Sequence, residues 1–529
     1  MLTLQQITYA HPNKDVLFDQ LNLTINKNEK IALIGNNGAG KSTLLKIMAG
    51  LLLPLNGELQ TETLPYYIPQ HFGQFNQQSV AEALHIGKKL EALHAILAGE
   101  VTEAHFNTLD DDWDIEERCR EALAHWDLEA LDLSQPMSTL SGGQKTKVFL
   151  AGIRIHRPQL VLMDEPSNHL DTQSRMLLYD YIQSTNDTLI VVSHDRTLLD
   201  ILPVVYELGK QGITIYGGNY TFYTMQKTIE VQALQEGLKD REKALRKARE
   251  VERETIERQQ KLDARGKRKQ EKAGIPTIAM NTLRNNAEKS TAKTKEVHAE
   301  KVEALHKEVG DLRRELPDKD KMKLGFGDTA LHNGKILVTA KEINCSYGTH
   351  FLWKTPLSLQ ITSGQRLAIK GHNGSGKTSL IRIILGQLEP SSGTIQRTAT
   401  DAIYIDQDYS LIDNRLSVYE QAERYNTGRL QEHEVKSRLT HFLFQATQWH
   451  KSCAALSGGE KMRLILCCLT IGAQAPDMIV LDEPTNNLDI QNIEILTEAI
   501  NSYRGTLIVV SHDALFLEQA GVNEAIVLV

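Results

Sequence analysis

Lys41 and Lys377 each close a run of glycines whose backbone N–H groups could wrap a chain of phosphates. The first run is Gly35, Asn36, Asn37, Gly38, Ala39, Gly40, Lys41, Ser42 and Thr43; the second is Gly371, His372, Asn373, Gly374, Ser375, Gly376, Lys377, Thr378 and Ser379. They stand 336 residues apart, and both fit the pattern G-x-x-x-x-G-K-[ST]. In such a loop the glycines let the main chain curl round the anion. The lysine meets the β and γ oxygens, and the hydroxyl of Ser42 or Thr378 can hold Mg²⁺. Two matches, followed by the same further motifs in the same order, predict two nucleoside triphosphate sites.

Those further motifs supply the rest of a phosphoryl-transfer site. Asp164-Glu165 and Asp482-Glu483 each end an apolar run, Leu160–Met163 and Met478–Leu481. Beside a phosphate loop, Asp164 and Asp482 could hold Mg²⁺ through water, and Glu165 and Glu483 could orient or deprotonate the water that attacks the γ-phosphate. His194 and His512 each follow a further apolar run and could reach a γ-phosphate. A single histidine at a strand end is usually a surface residue; its repetition favours function. Ser-His-Asp as three neighbours is no protease triad, since adjacent residues cannot adopt that geometry. Ser141, Gly142 and Gly143, and again Ser457, Gly458 and Gly459, open helices and offer N–H groups to a phosphate. Each copy already has its own phosphate loop, so these serines and glycines are expected to contact the nucleotide of the other copy. Two nucleotides would then be sandwiched head to tail.

The elements that position these residues are legible as a duplicated α/β unit. Ile31–Ile34 and Leu367–Ile369 read as buried strands before the loops, and Ile7–His11 aligns with Ile343–Tyr347 at the same offset of 336. The offset then falls to 316 at Leu140-Ser-Gly-Gly and Leu456-Ser-Gly-Gly, and to 318 at the acidic pairs and the histidines. The first copy is therefore about 21 residues longer between Gln70 and Ser141 than the second between Gln407 and Ser457, a small helical extension by expectation. From about 225 to 330 lies a stretch belonging to neither copy, rich in Glu, Lys, Arg, Ala and Gln. Apolar residues recur there at helical spacing (Ala244, Ala248, Val251, Ile256, then Val297, Val302, Leu305, Val309, Leu312), which predicts two long antiparallel helices broken near Gly274-Ile-Pro276. A solvated charged linker accounts for the stems. The break differs: residues 258 to 295 hold 11 Lys/Arg against 3 Asp/Glu, on a chain whose net charge is −8. A basic tip on an acidic body is an electrostatic footprint for nucleic acid.

Composition narrows the class. Hydrophobic residues make up 41% and charged residues 24% of 529, as in ordinary soluble proteins, and the length calls for several domains. Cys119, Cys345, Cys453, Cys467 and Cys468 lack metal-type spacing and read as core packing in a reducing compartment. Met1-Leu-Thr-Leu-Gln-Gln has no basic leader pattern, and nowhere do 18 apolar residues run together. A soluble cytoplasmic protein without a membrane domain is expected.

Taken together the motifs resemble the ATP-binding cassette superfamily everywhere except the linker. That resemblance implies ATP and Mg²⁺ as cofactors, Gln70 and Gln407 as residues sensing Mg²⁺ and water, and Glu165 and Glu483 as catalytic glutamates. It implies that Asp171 and Asp489 lie in loops crossing between the sites, and that Tyr347 stacks on adenine. The first copy has His11 at that place, and Tyr9, two residues away, is expected to face the opposite side of its strand. Two cassettes joined by a charged helical linker resemble the ABC-F class. The division implied is 1–225, first cassette; 226–332, helical hairpin linker with a basic tip; 333–529, second cassette. The class implies a monomeric ATPase acting on the ribosome near the tRNA exit site, with the hairpin toward the P-site tRNA and peptidyl-transferase centre. Its role would be that of a translation factor or an antibiotic ribosome-protection factor. Arg265, Lys267, Arg268, Lys269, Lys272 and Arg284 are the candidate contacts to rRNA and tRNA. The rivals are the ATPase subunit of a membrane transporter and a DNA-associated ATPase; the latter usually carries zinc modules, and the chain has no Cys-x-x-Cys.

Overall fold

The apolar runs that precede each chemical motif become adjacent strands of two sheets. The structure, a computed structural model, describes residues 1–12, 15–209, 212–270, 296–297, 299–313, 331–332, 334–347, 350–398, 400–486 and 488–528. In the first cassette six strands run in the order Tyr66–Ile68, Leu160–Asp164, Thr188–Val192, Lys30–Ile34, Val204–Gly209, Gly212–Tyr216. The first five are parallel and the last is antiparallel to its neighbour. In the second cassette five parallel strands run Ala402–Ile405, Met478–Asp482, Thr506–Val510, Arg366–Gly371, Glu524–Leu528. Every residue of Leu160–Asp164, Thr188–Val192, Met478–Asp482 and Thr506–Val510 is buried. Parallel strands covered on both faces require continuous apolar runs, which is what the sequence provides.

This order has one functional consequence. The strand feeding the phosphate loop adjoins the strand feeding the histidine, which adjoins the strand ending in Asp-Glu. The carboxyl ends of such strands form the crevice where ligands bind in open α/β sheets.

A smaller antiparallel sheet braces each loop. In the first cassette it comprises Val16–Ile25, Leu2–Ala10 and Asn56–Thr61; in the second, Leu357–Thr362, Ile336–Asn344 and Ser392–Arg397. The helices Lys41–Met48 and Lys377–Ile384 start directly at the lysines, each behind a left-handed glycine (Gly40 φ 97°, Gly376 φ 89°). A Cβ at Gly40 would stand 2.7 Å from both Leu17 and Phe18, and one at Gly376 would strike Leu352. Trp353, buried beneath the second loop, donates its indole N–H to the Ser375 carbonyl at 3.0 Å. These glycines thus combine a required backbone conformation with a close approach.

The extra residues of the first cassette form helices Gly87–Leu97 and Glu103–Leu109, packed on each other ahead of helix Ile115–Ala124. All five cysteines are buried and unpaired, and burial raises the Cys119 and Cys453 thiols to about 11.

Residues Thr221–Lys321 form a separate unit. Its first helix, Tyr220–Gln270, begins several residues before the expected boundary at 226. Helical residues 299–313 pack against it, with Arg241 Nε 3.3 Å from Glu308 and Arg313 2.6 Å from Glu242. The apolar stripe is less buried than its spacing suggests. Leu245 and Val309 are buried, Ala244, Ala248 and Ile256 only partly so, and Val251 and Val297 are 41% and 56% exposed. Two helices alone offer too little opposing surface to cover a whole stripe. Arg265 is exposed on the first helix, and Lys267, Arg268 and Lys269 belong to that helix. Lys272 and Arg284 lie outside the described residues.

Gly376→Ala should lower stability by about 1–3 kcal/mol, combining left-handed strain with the clash on Leu352. Chemical denaturation measures this, and an unchanged midpoint would show that the loop has no need of glycine there.

Candidate nucleotide-binding sites

Both phosphate loops hold their shape through their own lysines. Lys41 Nζ donates to the carbonyls of Gly35 (2.7 Å) and Asn36 (3.3 Å), and Lys377 Nζ to those of Gly371 (2.8 Å) and His372 (3.1 Å). Burial lowers the Lys41 ammonium against the opposing pull of Glu165, Asp489 and Asp164; Lys377 is lowered likewise. Asn36, Asn37 and Gly38, with His372, Asn373 and Gly374, form exposed rims over these lysines.

The acidic pairs divide into two settings. Asp164 receives hydrogen bonds from Ser42 and, at 3.4 Å, from the Tyr67 hydroxyl; Asp482 receives them from Thr378 and, at 2.8 Å, from Tyr404. Each carboxyl is raised, chiefly by burial. Glu165 and Glu483 then turn the chain sharply, with positive φ of 54° and 48°. Their N–H groups donate to Val192 and Val510 at 2.8 Å, which locks an unfavourable backbone in place. Burial, reinforced by Asp164, raises the Glu165 carboxyl to about 8. Burial raises Glu483 to about 7, partly offset by Arg175 and Lys377.

Each histidine faces its glutamate. Nε2 lies 3.3 Å from Glu165 Oε1 at His194 and 3.3 Å from Glu483 Oε1 at His512. The backbone N–H of each histidine also donates to that carboxylate. Burial and then Lys41 lower His194 to about 3; burial, Lys377 and Arg175 lower His512 to about 4. Both rings are therefore neutral near neutral pH.

Parts of the first cassette reach the loop of the second. Asn373 Nδ2 donates to the His169 carbonyl at 2.8 Å, His372 Nδ1 lies 4.0 Å from Asp171, and Thr172 Oγ1 lies 3.2 Å from His512 Nδ1. A Cβ on Gly143 would come within 2.6 Å of the His169 carbonyl and 2.9 Å of Asn373 Nδ2. A glycine is needed at this close approach. Asp171 and Asp489 cap the helices Thr172–Ser184 and Ile490–Ser502, accepting from Ser174 and Asn492. Ser141 and Ser457 cap theirs through reciprocal bonds with Gln144 and Glu460, leaving Ser141-Gly142 and Ser457-Gly458 at accessible helix starts. A cavity of about 210 Å³ opens at Asp171, Thr172, Gly371 and His372.

Gln70 is half-buried and Gln407 exposed, each just beyond a strand edging its sheet. Tyr347 lies in the short strand Ser346–Tyr347; its ring is outside the described residues. One expectation fails at the first cassette. Tyr9 and His11 share a side, their rings meeting edge to face at 5.8 Å. Side chains two apart in a strand point the same way, so the opposite-face assignment of Tyr9 is incorrect. The capping boxes are visible in the sequence as Ser-x-x-Gln and Ser-x-x-Glu. Tyr67 and Tyr404 stand three residues before the glutamines in both copies, a repeat that could have marked them. Thr172 and Arg175 carry no such signal, since the second copy has Ile490 and Ile493.

Asp164 Oδ1, Glu165 Oε1, His194 Nδ1 and Ser375 Oγ are buried without a hydrogen-bond partner among the described residues. Unsatisfied atoms of this kind are costly, and these four belong to a phosphate loop, an acidic pair and a facing histidine, as expected where a bound group completes the set. Paired hydroxyl and carboxylate oxygens suit Mg²⁺.

In the nucleotide-free chain the glutamates carry a pH signature. Their folded values lie above the ordinary 4.5, so their contribution to stability is complete below that pH and is lost as pH rises through about 7 and 8. The gain in melting temperature from Glu165→Gln with Glu483→Gln should therefore widen between about pH 5 and about pH 8, then level off. A gap independent of pH would contradict the burial of these carboxyls.

The family described as ABC transporter matches residues 18–168 and 355–486, more than half of the chain. The ATP-binding protein Uup of Escherichia coli is 30% identical over 530 residues, covering 95% of this chain and 76% of that protein. The energy-dependent translational throttle protein EttA of Mycobacterium tuberculosis is 30% identical over 540 residues, covering 98% and 89%. ABC transporter F family member 5 of Arabidopsis thaliana is 28% identical over 554 residues, covering 98% and 73%. In fold the chain is similar to the archaeal ribosome recycling factor aABCE1, solved with stalk protein aP1, at a TM-score of 0.61 and 20% identity over 99% of this chain and 87% of that one. Among the described residues no helix is long and apolar enough to cross a membrane. A twice-repeated phosphate loop, acidic strand end and helix-capping Ser-Gly-Gly thus coincide with similarity along nearly the whole length, and the chain belongs to the ATP-binding cassette family as a tandem-cassette ATPase of the ABC-F class.

Proposed function

We propose that this ATPase acts on the ribosome in the cytoplasm, closing its cassettes on two ATP molecules to bind and hydrolysing them to leave. The observation that carries composite sites is the seating of His169 and Gly143 of the first cassette against Asn373 in the phosphate loop of the second. Residues 35–43 and 371–379 cradle the phosphates, and Ser141-Gly142-Gly143 and Ser457-Gly458-Gly459 contact the nucleotide bound by the opposite cassette. Ser42, Gln70 and Asp164, with Thr378, Gln407 and Asp482, would hold Mg²⁺. When bound, that ion neutralises charge on the β and γ oxygens. Glu165 and Glu483 orient the attacking water and accept its proton, and His194 and His512 hold the γ-phosphate end of the site. Tyr347 stacks on adenine in the second cassette.

The ribosome reading rests on the basic window from 258 to 295 and on two relatives whose names concern translation and ribosome recycling. The cassettes (1–225 and 333–529) would sit near the tRNA exit site, and the linker (226–332) would reach toward the P-site tRNA and peptidyl-transferase centre. Arg265, Lys267, Arg268, Lys269, Lys272 and Arg284 would meet rRNA or tRNA phosphates. The chain would work as a monomer.

Glu165→Gln with Glu483→Gln should retain ATP binding, slow cleavage by orders of magnitude and accumulate on ribosomes. Lys41→Ala with Lys377→Ala should lose nucleotide binding instead. Normal turnover in the double lysine variant, or free release of the double glutamine variant from ribosomes with ATP still bound, would refute the cycle.

Neutralising Arg265, Lys267, Arg268, Lys269 and Lys272 should weaken ribosome co-sedimentation. It should also flatten the log–log salt dependence by roughly 0.7–0.9 for each phosphate that the variant no longer neutralises. Folding stability should change by less than ~0.5 kcal/mol per site. Equal co-sedimentation of both proteins at two salt concentrations would reduce the linker to a spacer.

A further inference from the structure

The two sites share their lysine, aspartate, glutamate and histidine but receive different residues from the opposite cassette. Helices Thr172–Ser184 and Ile490–Ser502 correspond, and each begins just after its capping aspartate. At their first position one carries a hydroxyl, the other a branched alkyl chain. Thr172 places Oγ1 3.2 Å from His512 Nδ1. His194 Nδ1, its counterpart, is buried with no hydrogen-bond partner among the described residues. Three residues further on, Arg175 acts on Glu483 and His512 across the cassette boundary, whereas Ile493 at the same place is buried among apolar neighbours.

The chemistry of imidazole gives this difference weight. Both rings bring Nε2 to 3.3 Å from a glutamate oxygen. A neutral ring carries its single N–H on either nitrogen, and the partner of one nitrogen decides the role of the other. At His512 a hydroxyl on Nδ1 can fix the tautomer and the ring plane. At His194 no described residue offers Nδ1 a corresponding hydroxyl.

We propose that Thr172 is a positioning residue supplied in trans, fixing the His512 imidazole at the second cassette's site, and that Ile490 leaves the first cassette's site without this support, so that the second site turns over faster. This rests on the reading that both composite sites hydrolyse ATP. His512 meets the nucleotide; Thr172 acts only through it.

The test uses the full chain with ATP and Mg²⁺. In a Glu165→Gln background, turnover reports the second site. There Thr172→Val should lower kcat about fivefold, the loss expected for one hydrogen bond, with KM little changed. Thr172→Ser, which keeps the hydroxyl, should restore it. In a Glu483→Gln background, Ile490→Thr should raise first-site kcat. A ¹⁵N-histidine spectrum, with His512 assigned by His512→Gln, should show one tautomer in the unmodified chain and averaged ring shifts in Thr172→Val. Equal kcat for the Val and Ser variants, or ring shifts indifferent to Thr172→Val, would overturn the proposal. If both single-Gln backgrounds were inert, two-site hydrolysis would fail instead, and the ring shifts would still decide the role of Thr172.

Discussion

Lys41, Asp164 and Glu165 are buried together at the carboxyl edge of one parallel sheet, and most of the first site's construction answers to that burial. A protein interior tolerates ionised groups only where partners or a ligand offset the loss of water. The lysine turns to the carbonyls of its own loop, the aspartate to a serine and a tyrosine, the glutamate to a backbone N–H. Even so, Asp164 Oδ1 and Glu165 Oε1 find no hydrogen-bond partner among the described residues. On the proposed reading, a chain of phosphates would answer the lysine and its cation the carboxylates, and the energy withheld in the free protein would become affinity and order in the bound one. The same constraint explains the left-handed backbone at Glu165 and Glu483. A regular strand exit would carry the carboxylate past the histidine; the turn brings it to 3.3 Å from Nε2.

Much of this was legible because parallel strands write themselves plainly. Four fully buried strands appear as unbroken Val, Ile, Leu and Met runs, and each chemical motif follows one directly. Their spatial order was not legible, since nothing local in Leu160–Met163 says that it adjoins the histidine strand rather than the loop strand. Recurrence at fixed offsets carried the rest, because two copies can be checked against each other. The linker shows the converse. Its helical period was visible, but periodicity measures only the potential for burial, and a two-helix pair covers Leu245 and Val309 while leaving Val251 and Val297 in solvent. At Tyr9 the error lay in applying the strand period itself, which returns every second side chain to the same face.

Duplication also hides what matters most for kinetics. Comparing copies reveals shared residues and discards unshared ones as variation. Thr172 against Ile490, Arg175 against Ile493, and His372 against Asn36 are such differences, and all three lie where one cassette meets the other's site or at the corresponding places of the other copy. A head-to-tail pair makes each site a chimera, so a single substitution in one copy alters the chemistry of the other. Asymmetry thus needs no change in any residue that a site calls its own.

This has a mechanical corollary. Asn373 is hydrogen-bonded to the chain just before Asp171, and Thr172, just after it, bonds the histidine beside Glu483. The loop 169–172 is therefore gripped at both ends by the second site while its aspartate caps a helix of the first cassette. With His512 in the role proposed for it, loss of the γ-phosphate would change the ring's position and, through Thr172, be felt at the start of that helix. Ile490, lacking a hydroxyl, cannot form the corresponding hydrogen bond from the second cassette to His194. The hydrogen-bonded route thus favours transmission of hydrolysis from the second site into the first cassette.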